Sequence, residues 1–119
     1  MPAHNPSEIH ALVLDAFNRG DAEAVTALYE PDAILVLGGE TMVGHEAIRK
    51  AYERMLAPRG RMELETRSVV ESSQGLAVLH ASWTLRSTGS TARGISTEVV
   101  RQQPDGTWLF MIDEPRTPE

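Results

Sequence analysis

Ser96-Thr97-Glu98-Val99-Val100-Arg101, then Pro104-Asp105-Gly106, then Trp108-Leu109-Phe110-Met111-Ile112-Asp113-Glu114-Pro115 is the stretch from which the fold follows. Two runs of β-rich composition flank a Pro-Asp-Gly turn, which reads as an antiparallel hairpin near the end of the chain. Working back from it, period-two segments lie at about 61 to 72, 76 to 87 and 93 to 103, with 107 to 114 the last; Ser73-Gln74-Gly75 and Ser87-Thr88-Gly89-Ser90 between them are turn compositions. A regular last strand carries Trp108, Phe110 and Ile112 on one side and Leu109, Met111 and Asp113 on the other. Both sides are apolar. Helices can cover one face only, so the other is expected to bury itself against a second copy of the chain; cover by the C-terminal tail or a loop is the competing expectation.

Upstream of residue 61 the period is helical. Ser7 can cap a helix in which Ile9, Leu12, Val13, Ala16 and Phe17 recur on one face, and Gly20 ends it. Asp21 starts a shorter helix with Val25, Leu28 and Tyr29 on one side, which Pro31 stops. Ala33 to Leu37 is a short apolar strand, Gly38-Gly39 a turn, and Thr41 to Val43 a brief extended piece. A third helix is predicted from about His45 to Leu56, apolar at Ile48, Ala51, Tyr52 and Met55. Helices first and an antiparallel meander afterwards is an α+β arrangement, one domain over residues 1–119.

Three short runs, Phe17-Asn18-Arg19-Gly20-Asp21, Ala27-Leu28-Tyr29-Glu30-Pro31-Asp32-Ala33 and Gly44-His45-Glu46-Ala47-Ile48-Arg49, together with the closing hairpin, resemble the SnoaL-like and ketosteroid-isomerase-like (nuclear-transport-factor-2-like) superfamily. The resemblance spans nearly the whole chain and implies a conical roll, three N-terminal helices packed on a curved, mainly antiparallel sheet around a pocket. It also implies homodimers, as in many members, and a pocket face for Glu98 and Asp113. In the isomerases the position matching Glu98 holds a protonated acid that donates to the substrate oxyanion. Tyr52 matches a helix tyrosine that supports the oxyanion-binding tyrosine. That tyrosine's own position falls on Val13, and the catalytic base falls on Leu37. A valine cannot donate and a leucine cannot accept a proton, so standard ketosteroid isomerisation is disfavoured.

Composition narrows the partners. With a formal charge of −6, one lysine and ten scattered arginines there is no basic stripe for nucleic acid. Cysteine is absent, which removes thiolate metal sites and thiol nucleophiles. His4, His10, His45 and His80 never fall at ligand spacing, so no metal is expected, and no phosphate loop or nucleophile elbow points to a cofactor. No run approaches a membrane span, and the opening residues lack a signal peptide's pattern, so a cytoplasmic protein is expected.

The candidate catalytic residues are Glu98, Asp113 and Tyr52. Two carboxyls in one dry site cannot both ionise easily, so one should hold a proton near neutral pH. Whether they face each other depends on the turn. A two-residue Asp105-Gly106 turn pairs Glu98 with Asp113, whereas a three-residue Pro104-Asp105-Gly106 turn with a bulge shifts the register by one. Equally open is a purely structural reading, with Glu98 paired to Arg101 or Arg86 and Asp113 capping backbone groups. By the resemblance Trp83 faces the cone interior and would shape an apolar pocket with Phe17, Tyr29, Leu37, Met55, Leu79, Val100 and Met111, suited to a small apolar organic molecule. The expected activity is a cofactor-free isomerisation, cyclisation or hydration; a non-catalytic ligand-binding or dimerisation module is the alternative.

Overall fold

Ile9, Val13, Ala16 and Phe17 repeat at helical spacing and all four are buried, which fixes helix α1 at Ile9–Asn18. In the computed structural model, which describes residues 2–57 and 60–116, Ser7 does not cap this helix. Its hydroxyl donates to Asn5 Oδ1 at 2.6 Å, and a tight helical turn over Pro6–Glu8 leads into α1 instead. Gly20, at φ 75°, closes the helix in the left-handed conformation that only glycine adopts without strain. Asp21 then caps α2, Ala22–Thr26, by accepting the Ala24 N–H at 2.9 Å.

Helix α2 is shorter than expected, because Tyr29 belongs to strand β1, Tyr29–Leu37. Pro31 does not end an element. It lies inside β1, in the stretch where the register with its neighbour slips between Tyr29 and Ile34, and there a missing N–H costs no ladder bond. Gly38 and Gly39, both at positive φ, make a two-residue turn into β2, Glu40–Val43, and α3 follows at His45–Leu56. Strands β3 (Arg61–Glu71), β4 (Leu76–Ser87), β5 (Ser90–Gln102) and β6 (Trp108–Arg116) form the predicted meander. The sheet order is β2-β1-β6-β5-β4-β3, antiparallel except for the β1–β6 pair. Among the described residues three helices pack against one face of this six-stranded sheet, giving the α+β roll. No helix among the described residues is long and apolar enough to cross a membrane.

The closing hairpin contains both of the registers that the turn chemistry allowed. Next to the Pro104-Asp105-Gly106 turn, Gln102 pairs with Trp108 and Val100 with Phe110; beyond a one-residue step, Val99 pairs with Ile112 and Glu98 with Asp113. Met111 is the extra residue, a β-bulge. Its consequence is a correction to the facing of the last strand. Trp108, Phe110 and Asp113 all turn inward and are buried, while Ile112 turns outward. Trp108 and Phe110 are therefore core residues of one chain and take no part in an intermolecular face. Phe110 stacks on Tyr29 with ring centroids 4.8 Å apart, and the Trp108 N–H reaches back to the Ala3 carbonyl at 2.9 Å.

On the outer face the pairing aligns one branched aliphatic residue from every strand: Val43, Ile34, Ile112, Val99, Val78 and Val70, in sheet order. Val70 and Val43, at the two ends of this row, are 65% and 61% exposed.

Candidate functional site

A cavity of about 750 Å³ lies between the helices and the inner face of the sheet. Its wall is mostly aliphatic and aromatic, with Val13 from α1, Leu37 from β1, Met55 from α3, Leu64 from β3, Trp83 from β4 and Phe110 from β6 among its residues. Five buried polar residues also line the cavity, His10, Tyr52, Ser96, Glu98 and Asp113. Glu98 and Asp113 are direct cross-strand partners on adjacent strands, which sets their Cβ atoms about 5 Å apart on one face.

Each carboxyl has its own support. The Tyr29 hydroxyl donates to Asp113 Oδ2 at 2.5 Å. Tyr52 and Tyr29 hydroxyls are 2.6 Å apart, and since the single Tyr29 proton is committed to Asp113, Tyr52 is the donor in that pair. Glu98 Oε1 lies 2.7 Å from His10 Nε2, and the other ring nitrogen of His10 is 2.7 Å from Thr66 Oγ1. The arginines that might have neutralised Glu98 are engaged elsewhere: Arg101 holds Glu30 through two bonds of 2.7 and 2.8 Å, and Arg86 reaches Glu63 at 3.3 Å. A continuous hydrogen-bonded path thus runs from Tyr52 through Tyr29 to Asp113, and faces a second one from Thr66 through His10 to Glu98.

Burial pushes the Asp113 carboxyl up to about 8, and the negative charge of Glu98 adds to the effect; the hydrogen bond from Tyr29 opposes it. Near neutral pH, Asp113 therefore keeps its proton. With Oδ2 accepting from Tyr29, that proton belongs on Oδ1, in the hydrogen bond with the facing Glu98, which also helps to hold it. The phenols of Tyr29 and Tyr52 are pushed up as well, first by burial and then by the nearby Asp113 charge, so both remain donors.

Of the residues singled out from sequence, Glu98, Asp113, Tyr52, Leu37, Met55 and Trp83 line the cavity. Phe17, Tyr29, Leu79 and Val100 are fully buried in the core, behind its wall. Met111 lies elsewhere, because the bulge carries it to a shallow surface depression beside Ile112 and Arg101. His10 was not singled out. It falls three residues before Val13 and seven before Phe17, on the buried stripe of α1, and a histidine continuing an apolar stripe was the available signal. Among the described residues no His, Asp and Glu group has the geometry to hold a metal ion.

The sequence profile described as a SnoaL-like domain matches residues 10–112. No curated protein matches the chain. Solved structures share the fold at low identity. An NTF-2-like protein of unknown function from Shewanella oneidensis is 21% identical, with 92% of this chain and 93% of that one covered and a TM-score of 0.81. A ketosteroid isomerase-like protein from Erwinia carotovora atroseptica is 24% identical over 94% of each chain, with a TM-score of 0.74. A candidate scytalone dehydratase from Novosphingobium aromaticivorans is 18% identical, covering 95% of this chain and 81% of its own, with a TM-score of 0.80. With the profile matched from α1 to Ile112 in the middle of β6 and the same roll in all three structures, the chain belongs to the SnoaL-like domain family.

Proposed function

We propose that this chain binds a small, mainly apolar organic molecule in the cavity and acts on it by cofactor-free acid–base chemistry of the isomerase or lyase kind. The family includes isomerases and dehydratases. The observation that carries the reading is the opposed pair Glu98 and Asp113 in a mainly apolar cavity, each held by its own hydrogen-bonded path. Asp113 protonates a ligand oxygen from Oδ1. Glu98, held by His10, takes a proton from a neighbouring carbon of the ligand. Where the oxygen is a hydroxyl it leaves as water, the C–H and C–O bonds breaking as the C=C bond forms. Where it is a carbonyl with a C=C bond one carbon further on, the product is a dienol; Glu98 returns its proton to the far end of the diene as the O–H proton goes back to Asp113, which re-forms the carbonyl and leaves the C=C bond shifted. Both routes need neutral Asp113, so turnover falls as pH rises through about 8. Val13 and Leu37 both line the cavity, so the donor tyrosine and acidic base expected of standard ketosteroid isomerisation are missing from it.

Acetophenone, a ketone with one oxygen, tests the reading. Its binding, followed by chemical-shift titration, should weaken at least fivefold in Asp113→Ala and as pH rises through about 8. Binding independent of both would rule out Asp113 as the donor.

The same cavity without turnover is the second reading, favoured by the apolar residues at positions 13 and 37. In either case we propose a homodimer formed through the outer sheet face, where the aliphatic row crosses all six strands.

A further inference from the structure

We propose that the cavity holds a second polar anchoring point, formed by Ser96 Oγ and Trp83 Nε1, and that its ligand is a neutral cyclic molecule with oxygen functions at two opposite ends. This rests on the cavity being a ligand site. The inner face of β5 reads Ala92, Gly94, Ser96, Glu98, Val100, so Ser96 stands one inward position from Glu98, about 7 Å along the strand. Ser96 is 3% exposed and lines the cavity, and its hydroxyl has no hydrogen-bond partner among the described residues. The enclosed indole Nε1 of Trp83, on the next strand and also lining the cavity, has none either.

Two unpaired polar atoms in one wall are a standing cost to the fold that alanine and phenylalanine would remove. The local backbone is arranged around them. A Cβ on Gly94 would fall 2.5 Å from Trp83 Cζ2 and 1.8 Å from the Arg116 carbonyl oxygen, so glycine is what lets the indole lie against β5 beside Ser96. As the side chains stand neither atom has surface open to the cavity, so the serine must rotate and the indole edge shift as the ligand enters; the hydroxyl then reaches the cavity, and the indole N–H can only donate. The group they fit is therefore an acceptor, a carbonyl or hydroxyl oxygen. At the other end neutral Asp113 also donates to an oxygen. The ligand carries no carboxylate, because the negative Glu98 faces the same space and the cavity's arginine, Arg116, is exposed and paired with Glu114 at 2.7 Å.

Three probes of similar size separate the two ends: ethylbenzene, acetophenone and para-hydroxyacetophenone, with no, one and two oxygens. Para-hydroxyacetophenone should bind about fivefold more tightly than acetophenone to the wild type and move the Trp83 indole N–H resonance downfield, as a new hydrogen bond does, whereas ethylbenzene shifts it only by its ring current. Ser96→Ala should abolish the advantage of the second oxygen without changing acetophenone binding; Trp83→Phe, which also removes part of the cavity wall, should bring the ratio between the two ketones down to about one whatever it does to acetophenone itself. If para-hydroxyacetophenone shows no advantage, or if Ser96→Ala weakens both ketones alike, the second anchoring point is refuted. Acetophenone binding that depends on Asp113 would leave the cavity reading standing in that event. If none of the three probes binds, both fall together.

Discussion

Replacing Asp113 with asparagine should change how stability depends on pH, and the direction follows from the site. The carboxyl is buried opposite Glu98, and its folded value of about 8 lies above the ordinary aspartate value of 3.8. Below both values the group is protonated whether the chain is folded or not. Between them the unfolded chain releases the proton while the folded chain retains it, so stability falls as pH rises through this window and levels off above about 8. At about 1.4 kcal/mol for each pH unit the loss at neutral pH is on the order of 4 kcal/mol, an upper bound because water entering on local opening relieves part of it. Asparagine has the same shape, still accepts from Tyr29 and does not ionise. Urea midpoints for wild type and Asp113→Asn across the acid to mildly alkaline range should diverge, the variant gaining steadily over the wild type up to about 8. Curves that stay parallel would refute the reasoning, since a constant offset means that Asp113 ionises alike in both states.

Three further outcomes test the packing. Gly94→Ala puts a Cβ 1.8 Å from the Arg116 carbonyl oxygen, so calorimetry should show a loss of at least about 3 kcal/mol, or no folded protein. Phe110→Ala should cost about 3 to 5 kcal/mol in denaturant unfolding, because the ring is buried against Tyr29 within one chain. Val78→Asp, in the outer aliphatic row, should leave the far-ultraviolet spectrum unchanged and convert a dimer to monomer by light scattering; a wild type already monomeric at tens of micromolar would contradict the assembly.

The helices and the meander were readable because hydrophobic period and turn chemistry agree there. The facing of β6 was not. Leu109, Met111 and Ile112 are all apolar, so either register buries comparable surface, and only the three-dimensional pairing shows that Met111 is the residue left over. Pro31 misled for a different reason: it forbids a central ladder position, and β1 has an irregular stretch that makes no such demand. In the site, Glu98, Asp113 and Tyr52 stood out as polar residues at positions matching a known pocket. His10 did not, since its partners Thr66 and Glu98 are 56 and 88 residues away in the chain. No local spacing could announce a contact of that range. The same limit applies to Ser96 and Trp83, whose unpaired atoms become visible only once the neighbours of each are known.

The central claim is that Asp113 holds a proton at neutral pH because it is buried opposite a charged Glu98. Carbon-detected NMR titration of the side-chain carboxyls measures this directly, in wild type and in Glu98→Gln. The account predicts an Asp113 midpoint of about 8 in the wild type, shifted downward when the facing charge is removed. An Asp113 midpoint near 3.8, unmoved by Glu98→Gln, would contradict it.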